Sequence, residues 1–445
     1  MSANQFPIGA VLGLGVTQIV GYGTLYYSFS ILAPDMARDF GLSVEWMFGA
    51  LSVALLIGGL ISPSLGKWID QFGAGRVMTA GSLVSAMAFV ACALSPNRPS
   101  FVAALIVVQV AANFVQYGAA FALLVQIAPN VAQRSITYLT LIAGFASTIF
   151  WPVTTALHGW LSWQQVYLVF AALNALVCTP IHLWLAVSAR QPSIGTVSSV
   201  AKVVAGSLPP ERRRLALALM VAGFSLQALV GSAILVHMVP LLSALGFGSA
   251  AALVGTLFGP AQVGGRLVNM LLGRDMSPPM LALISAGLMT MSVVVLAISA
   301  PSTIGAMTFA VLFGRGNGLF SIVSGTLPLF LFGSSGYGRL QGKVMATRLI
   351  VSAIAPVAFA LALSSVGAEV SLMLIATCGG FGVATLCTVT SVGRAQRKQQ
   401  AGSHICRRAA SRPPLQPFEP PARAPEAENK VQDARAPNSQ MELSQ

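Results

Sequence analysis

Apolar stretches of about twenty residues follow one another from Ile8 to Val389, most of them joined by short loops. A helix rises 1.5 Å per residue, so about 20 apolar residues span the roughly 30 Å of a bilayer's hydrocarbon. Repeated stretches of that length point to an all-α membrane protein. The charge content agrees: only 8% of residues are charged and 55% are hydrophobic, with a mean hydropathy of +0.77. A soluble domain carries about 25% charged residues, and so few charges cannot cover a surface in water. The first stretch, Ile8–Leu32, is too long for a signal-peptide core, lacks a basic leader and is followed by further spans, so it reads as a retained helix.

Twelve spans are expected, at about Ile8–Leu32, Trp46–Leu65, Val77–Leu94, Phe101–Val125, Ile136–Leu157, Gln164–Val187, Arg214–Leu241, Ala250–Leu272, Pro278–Ile298, Ser302–Ser324, Gly342–Leu363 and Val370–Val389. The longest internal polar stretch falls between the sixth and seventh spans and ends in a basic cluster. The expected division is therefore a six-helix bundle over 1–188, a cytoplasmic linker over 189–213, a second bundle over 214–392 and a tail over 393–445. Gly58-Gly59 in span two reappears as Gly264-Gly265 in span eight, 206 residues on, and the span starts share that offset. Two halves of similar spacing suggest the repeat architecture of secondary transporters. Orientation follows from Lys and Arg in the loops. With the N-terminus inside, ten inner-loop cations from Lys67 to Lys343 face only Arg38 and Arg98 outside, so both termini are expected on the cytoplasmic side of the inner membrane.

The net charge of +13 does not indicate nucleic acid, because nine of the 25 basic residues lie after Val392 and most others lie in short loops. The membrane surface, with its anionic lipid, is the expected partner. The tail, rich in proline and mixed charge, has nothing to bury and is expected to be disordered. Cys92, Cys178, Cys378, Cys387 and Cys406 form no CxxC. Neither a disulfide framework nor a metal site is indicated, no cofactor is expected, and the chain is expected to act as a monomer.

One loop narrows the class. Gly66-Lys-Trp-Ile-Asp70-Gln-Phe-Gly73-Ala-Gly-Arg76-Val-Met78 lies between spans two and three. It resembles the signature loop of the major facilitator superfamily, roughly G-x-L-a-D-r-x-G-r-k-x-x-l. Gly66, Asp70 and Gly73 fall in register, whereas Trp68, Gln71 and Ala74-Gly75 depart from the pattern and Arg76 alone stands in for its basic pair. The resemblance covers about residues 8–390. It implies two pseudo-symmetric six-helix bundles, and it implies that Asp70 latches its loop onto the start of helix eleven in the outward-open state. A carboxylate is stabilised there by a helix N-terminus and by nearby cations. The gating set implied is Gly66, Asp70, Gly73, Arg76, Arg134 and Arg348, the last two supplying the cations. The bland alternative is a tight turn and nothing more. Gly21-Tyr22-Gly23-Thr24-Leu25-Tyr26-Tyr27-Ser28-Phe29 and Gly259-Pro260-Ala261-Gln262-Val263-Gly264-Gly265-Arg266 look like a bacterial branch related to monocarboxylate and oxalate–formate carriers.

All 12 acidic residues fall in loops, span ends or the tail, but two arginines lie deep: Arg315 about 13 residues into span ten, and Arg266 about two turns from the inner end of span eight. A charge at bilayer depth costs about 2.5–3.5 kcal/mol on insertion scales and is expected to face a cavity or a partner. With no deep carboxylate, the simplest partner is an anionic substrate, since a guanidinium matches a carboxylate with paired donors. Arg266 reads equally well as structural. By the same resemblance, spans one, four, seven and ten line the cavity. Their polar residues include Tyr22, Tyr26, Asn113, Gln116, Tyr117, Gln227 and Asn317. Tyr22 and Tyr26 share a face at i, i+4, as do Asn113 and Tyr117, and each could instead be a packing residue. A symported proton would travel with a weak acid or use His237; uniport and exchange stay open.

The expectation is therefore a secondary carrier for a small organic anion, probed against four rivals. A drug or metabolite efflux antiporter is weakened by a fifth span, Gly144–Pro152, with only part of the antiporter glycine–proline run. An enzyme lacks a hydrolytic or metal constellation. An ATP-driven pump lacks the phosphate loop, because Tyr337 and Val344 stand where glycine and Ser/Thr belong. A membrane sensor would need a folded output module that the tail does not offer.

Overall fold

The computed structural model describes residues 6–188, 203–248, 250–273 and 276–410. Among these residues the regular structure is helical, apart from one isolated bridge between Ala205 and Gly333. Ten helices are long and apolar enough to cross a membrane. The last of them, Tyr337–Ser391, turns at Gly367 (φ 81°) and so supplies two crossings. One further crossing is built from two shorter pieces. In chain order the twelve are α1 (Ile8–Asp39), α2 (Val44–Phe72), α3 (Ala74–Ala93), α4 (Arg98–Ile127), α5 (Pro129–His158), α6 (Trp163–Ser188) and α7 (Pro210–Ala244). They continue with α8 (Ala250–Thr256 and Phe258–Leu272), α9 (Pro278–Ser299), α10 (Thr303–Phe332), α11 (337–366) and α12 (368–391). The helical backbone runs on to Ala410. The linker residues 189–202 and the tail beyond 410 lie outside the described residues.

The crossings start where the sequence supplies caps. Ser43, Asn97, Ser162 and Ser302 each accept a bond from a backbone N–H three residues on, satisfying donors that a helix start leaves free. Gly73, at φ 87°, ends α2 and opens α3 without an intervening loop, a backbone that other residues rarely adopt.

Each half has its own apolar core. One gathers Phe89, Phe101, Tyr167 and Phe170, and the other Phe224, Met289, Phe309 and Phe313. The halves are built alike: α4 packs between α2 and α3 as α10 packs between α8 and α9. Glycine sets the latter spacing, since a Cβ at Gly314 or Gly318 would strike the α8 backbone and one at Gly316 the α9 backbone.

Several crossings are interrupted halfway. α1 passes through a π-turn at Gly23–Tyr27, and α6 through another at Asn174–Cys178. α4 breaks at Gln116, whose backbone is extended (φ −79°, ψ −171°), and α5 breaks at Gly144–Phe145. Carbonyls released by such breaks need partners inside a membrane. Side-chain amides provide them: Gln18 donates to Val115 O (2.6 Å) and Gln109 to Leu25 O (3.1 Å). Asn174 donates to Thr24 Oγ1 (3.1 Å) and ties the two π-turns together.

The halves meet at one end of the bundle and through its middle. Gly59 lies against Ala346, Leu349 and Ile350, Gly66 against Gly338, and Gly342 against Ser62. Toward the other end the outer pieces of α1, α5 and α8 pack against elements of their own halves. The end after α6 is further closed by Val204–Leu208, which bond along Phe330–Ser334 at the α10–α11 turn.

Candidate functional site

The loop that marks the sequence sits at the sealed end. Asp70 Oδ1 accepts from the Gly338 N–H and Oδ2 from the Arg339 N–H, each at 2.9 Å. The carboxylate thus covers the first free donors of α11, where the helix dipole favours negative charge. Arg339 Nε stands 3.7 Å away. Gly66 and Gly338 permit this approach: a Cβ at Gly66 would land on Gly338 O, and one at Gly338 would meet Asp70 Oδ1 at 2.5 Å. Gln126 fixes the turn from α4, accepting from Ala74 N (2.9 Å) and donating to Ile69 O (3.2 Å).

The cations of this gate differ from those expected. Arg339 is the partner. Arg134 lies over Phe6 (5.3 Å) and donates to Tyr138 Oη, away from Asp70. Arg76 is exposed and without a polar partner among the described residues. Arg348 is nine residues beyond Arg339, about 13 Å farther along α11, and belongs to the centre of the bundle.

That centre gathers two guanidiniums and three tyrosines. Arg348 is half-buried, 5.1 Å over the Phe320 ring, with Nη1 3.8 Å from Met345 Sδ and with a buried Nε that has no hydrogen-bond partner among the described residues. It lies within electrostatic reach of Tyr22, whose hydroxyl faces the Tyr117 backbone N–H at the start of the second piece of α4. Arg266 is 4% exposed and crosses between halves: Nε donates to Gly318 O (3.2 Å) and Nη1 to Thr140 O of α5 (2.9 Å). Its guanidinium fills a notch at Gly144, where a Cβ would overlap Nη1. Tyr27 and Tyr117 are both within its electrostatic reach. Among the described residues, no carboxylate lies within 4.0 Å of either guanidinium.

The tyrosine expected beside Tyr22 was Tyr26, one α-turn on. The π-turn changes that register: Ser28 N bonds Gly23 O, five residues back (3.1 Å), so Tyr27 comes round to Tyr22 (ring centroids 6.4 Å). Tyr26 is 49% exposed and touches the edge of Tyr27 instead.

Other expected site residues are elsewhere. Asn113 donates to Gln109 O and faces Gly58 of α2. Gln116 forms the α4 break. Gln227 is buried against α12 and donates to Gly379 O (3.2 Å). Asn317 turns toward Gly231 of α7.

Arg315 stands apart from all of them. On α10, Gly314 and Gly318 face α8, Gly316 faces α9, and Asn317 and Phe320 face α7. At 3.6 residues per turn the direction left to Arg315 is the open one between α8 and α9, in line with exposed Ile304 and Thr308. Its side chain is exposed and has no polar partner among the described residues.

Two like halves of six crossings, latched at one end and carrying unneutralised cations at the middle, define a membrane carrier. A family profile described as Major Facilitator Superfamily matches residues 14–356, and the chain belongs to that family. It is a multi-pass membrane transporter for small molecules and not an enzyme. Similar solved structures include the human organic anion transporter MFSD10 (TETRAN), with TM-score 0.71 and 13% identity, covering 86% of this chain and 100% of that one. The proton:xylose symporter XylE is similar at TM-score 0.67 and 14% identity, covering 86% and 96%. FucP in the outward conformation is similar at 0.62 and 13%, covering 84% and 97%. No curated protein matches this chain.

Proposed function

We propose that the chain moves a small organic anion, a carboxylate, across the cytoplasmic membrane by alternating access, with both termini on the cytoplasmic side. The observation that carries this reading is the pair Arg266 and Arg348, which approach one tyrosine cluster from α8 and α11 with no carboxylate within 4.0 Å of either among the described residues. A buried guanidinium lacking a counter-charge favours an incoming anion, and Arg matches a carboxylate with two parallel donors. Arg348 keeps an unpartnered Nε for this purpose, while Arg266 is already bonded to carbonyls and offers charge more than free donors. Arg315 takes no part. The α8 and α1 segments that look like those of monocarboxylate and oxalate–formate carriers contain Arg266, Tyr22 and Tyr27, in keeping with the same reading.

The arrangement corresponds to a carrier closed inside by Asp70. Binding of an anion between α8 and α11 would draw the halves together at the far end, and a proton carried by a weak acid suffices for symport. The efflux-antiporter alternative shares the fold but calls for lipophilic cations, which two arginines disfavour. Uptake of labelled organic anions into proteoliposomes tests the proposal. Arg348→Ala is expected to lower uptake at least tenfold and Arg348→Lys less. Hydrophobic cations moved equally well by wild type and variants, with no anion signal, would overturn it.

A further inference from the structure

One wall of the centre holds the guanidiniums, and beside it runs an aromatic one, with Arg266 seated against α5 next to the rings. Rings follow one another from α5 through α1 to α4: Trp151 to Tyr27 (6.1 Å between centroids), Tyr27 to Tyr22 (6.4 Å), Tyr22 to Tyr117 (4.8 Å) and Tyr117 to Phe121 (5.0 Å). Trp151 belongs to the face of α5 that looks across at the other half. Ser147 and Trp151 are four apart in the piece after the break and share that face, with Gly144 at the break beside it. Gly144 receives Arg266, the Ser147 hydroxyl meets Tyr27 Oη, and Trp151 meets the Tyr27 ring. Trp151 is 52% exposed, an open ring at the unsealed end of the row.

The π-turn exists in the same place. A regular helix would put Tyr26 beside Tyr22 and leave Tyr27 about two-fifths of a turn off. The i→i+5 turn instead brings Tyr27 into line between Tyr22 and Trp151, so the row is unbroken. Such turns inside α-helices are found frequently at functional sites. An acetate-sized anion would be held by the guanidiniums alone and would leave these ring faces idle. A flat ring bearing a carboxylate would use both walls, with stacking and edge contacts on one side and paired donors on the other.

We infer that the carrier selects aryl carboxylates, the ring lying against Trp151, Tyr27 and Tyr22 and the carboxylate turned toward Arg348 and Arg266. This rests on the organic-anion reading above and narrows it to a chemical class. The residues that set the class are Trp151 and Tyr27, neither of which touches the guanidinium of Arg348.

The test measures binding to the purified full chain, by calorimetry, for benzoate, cyclohexanecarboxylate, acetate and neutral benzamide, in wild type, Trp151→Ala, Trp151→Phe and Tyr27→Leu. Benzoate is expected to bind on the order of tenfold more tightly than acetate, with cyclohexanecarboxylate between them. Trp151→Ala is expected to cut benzoate binding severalfold while acetate stays within about twofold, Trp151→Phe to retain the wild-type ratio, and Tyr27→Leu to cut benzoate binding severalfold. Acetate or cyclohexanecarboxylate binding as well as benzoate overturns the inference and leaves the organic-anion reading standing. So does a benzoate-to-acetate ratio unchanged in Trp151→Ala, which leaves the exposed indole as the only change. If no carboxylate binds, or benzamide binds as tightly as benzoate, the organic-anion reading itself falls.

Discussion

Removing the Asp70 carboxylate should open the sealed end. Its two oxygens accept from Gly338 N and Arg339 N at 2.9 Å, and a hydrogen bond to a charged group contributes roughly 1.5–3 kcal/mol. Water replaces part of this when the side chain is lost, since Asp70 is 16% exposed. The Arg339 pair adds little, because that side chain is 65% exposed and exposed pairs contribute about 0–1 kcal/mol. About 2 kcal/mol in favour of the closed gate remains, in the range for loss of a helix N-cap. At 1.4 kcal/mol per factor of ten, Asp70→Ala should multiply the open fraction by about thirty. A thiol behind the gate reports that fraction. Gln116→Cys, in a background freed of the five natural cysteines, lines the small cavity between α2, α4 and α11 just past the latch. Its rate of reaction with an impermeant reagent in inside-out vesicles scales with the open fraction, so the increase is readable even when opening is rare. Asp70→Asn should fall between, keeping one acceptor. Gly66→Ala should act in the same direction by steric means. A rate within twofold of the parent for both Asp70→Ala and Gly66→Ala refutes the latch.

Two further outcomes are expected. Arg315→Gln should leave uptake within about twofold, since the side chain points between α8 and α9 and away from the tyrosines; a tenfold loss in proteoliposome uptake would return it to the binding site. His182→Leu should lower the thermal unfolding midpoint in detergent without abolishing binding: its ring bonds Ser82 Oγ (2.8 Å) and Thr17 Oγ1 (3.0 Å) inside the first half, and while Thr17 keeps its bond to Leu14 O, the Ser82 hydroxyl left unpaired there costs about 1–3 kcal/mol.

The crossings were legible because bilayer thickness fixes helix length, and the contact of Asp70 with the start of α11 because Asp70 and its glycines form a compact local pattern. The cations were harder. Depth along a helix can be counted, but the side of the helix a residue occupies depends on which neighbours pack where. Arg315 is at mid-depth and on the outer side, and nothing in its own segment says so; only the glycines at 314, 316 and 318, read with their contacts, give the phase. Arg348 was placed with the gate because it lies near the start of a span, yet α11 begins five residues earlier than the hydropathy indicates, at Tyr337. Tyr27 was missed for a third reason. A π-turn leaves no mark on composition or periodicity, and i, i+4 spacing selects Tyr26 unless the backbone is known. Arg339 was visible only as a loop cation, its part in the latch coming from the two backbone donors beside it.

The bond from Arg266 to α5 lands on a main-chain oxygen. Thr140 supplies that oxygen whatever side chain it carries, whereas Gly144 supplies empty space that any side chain would fill. Tolerance to mutation at this junction is therefore lopsided: position 140 keeps the bond with any residue that fits its buried site, and position 144, four residues away in the same crossing, is locked at the smallest residue for as long as an arginine reaches across from the other half.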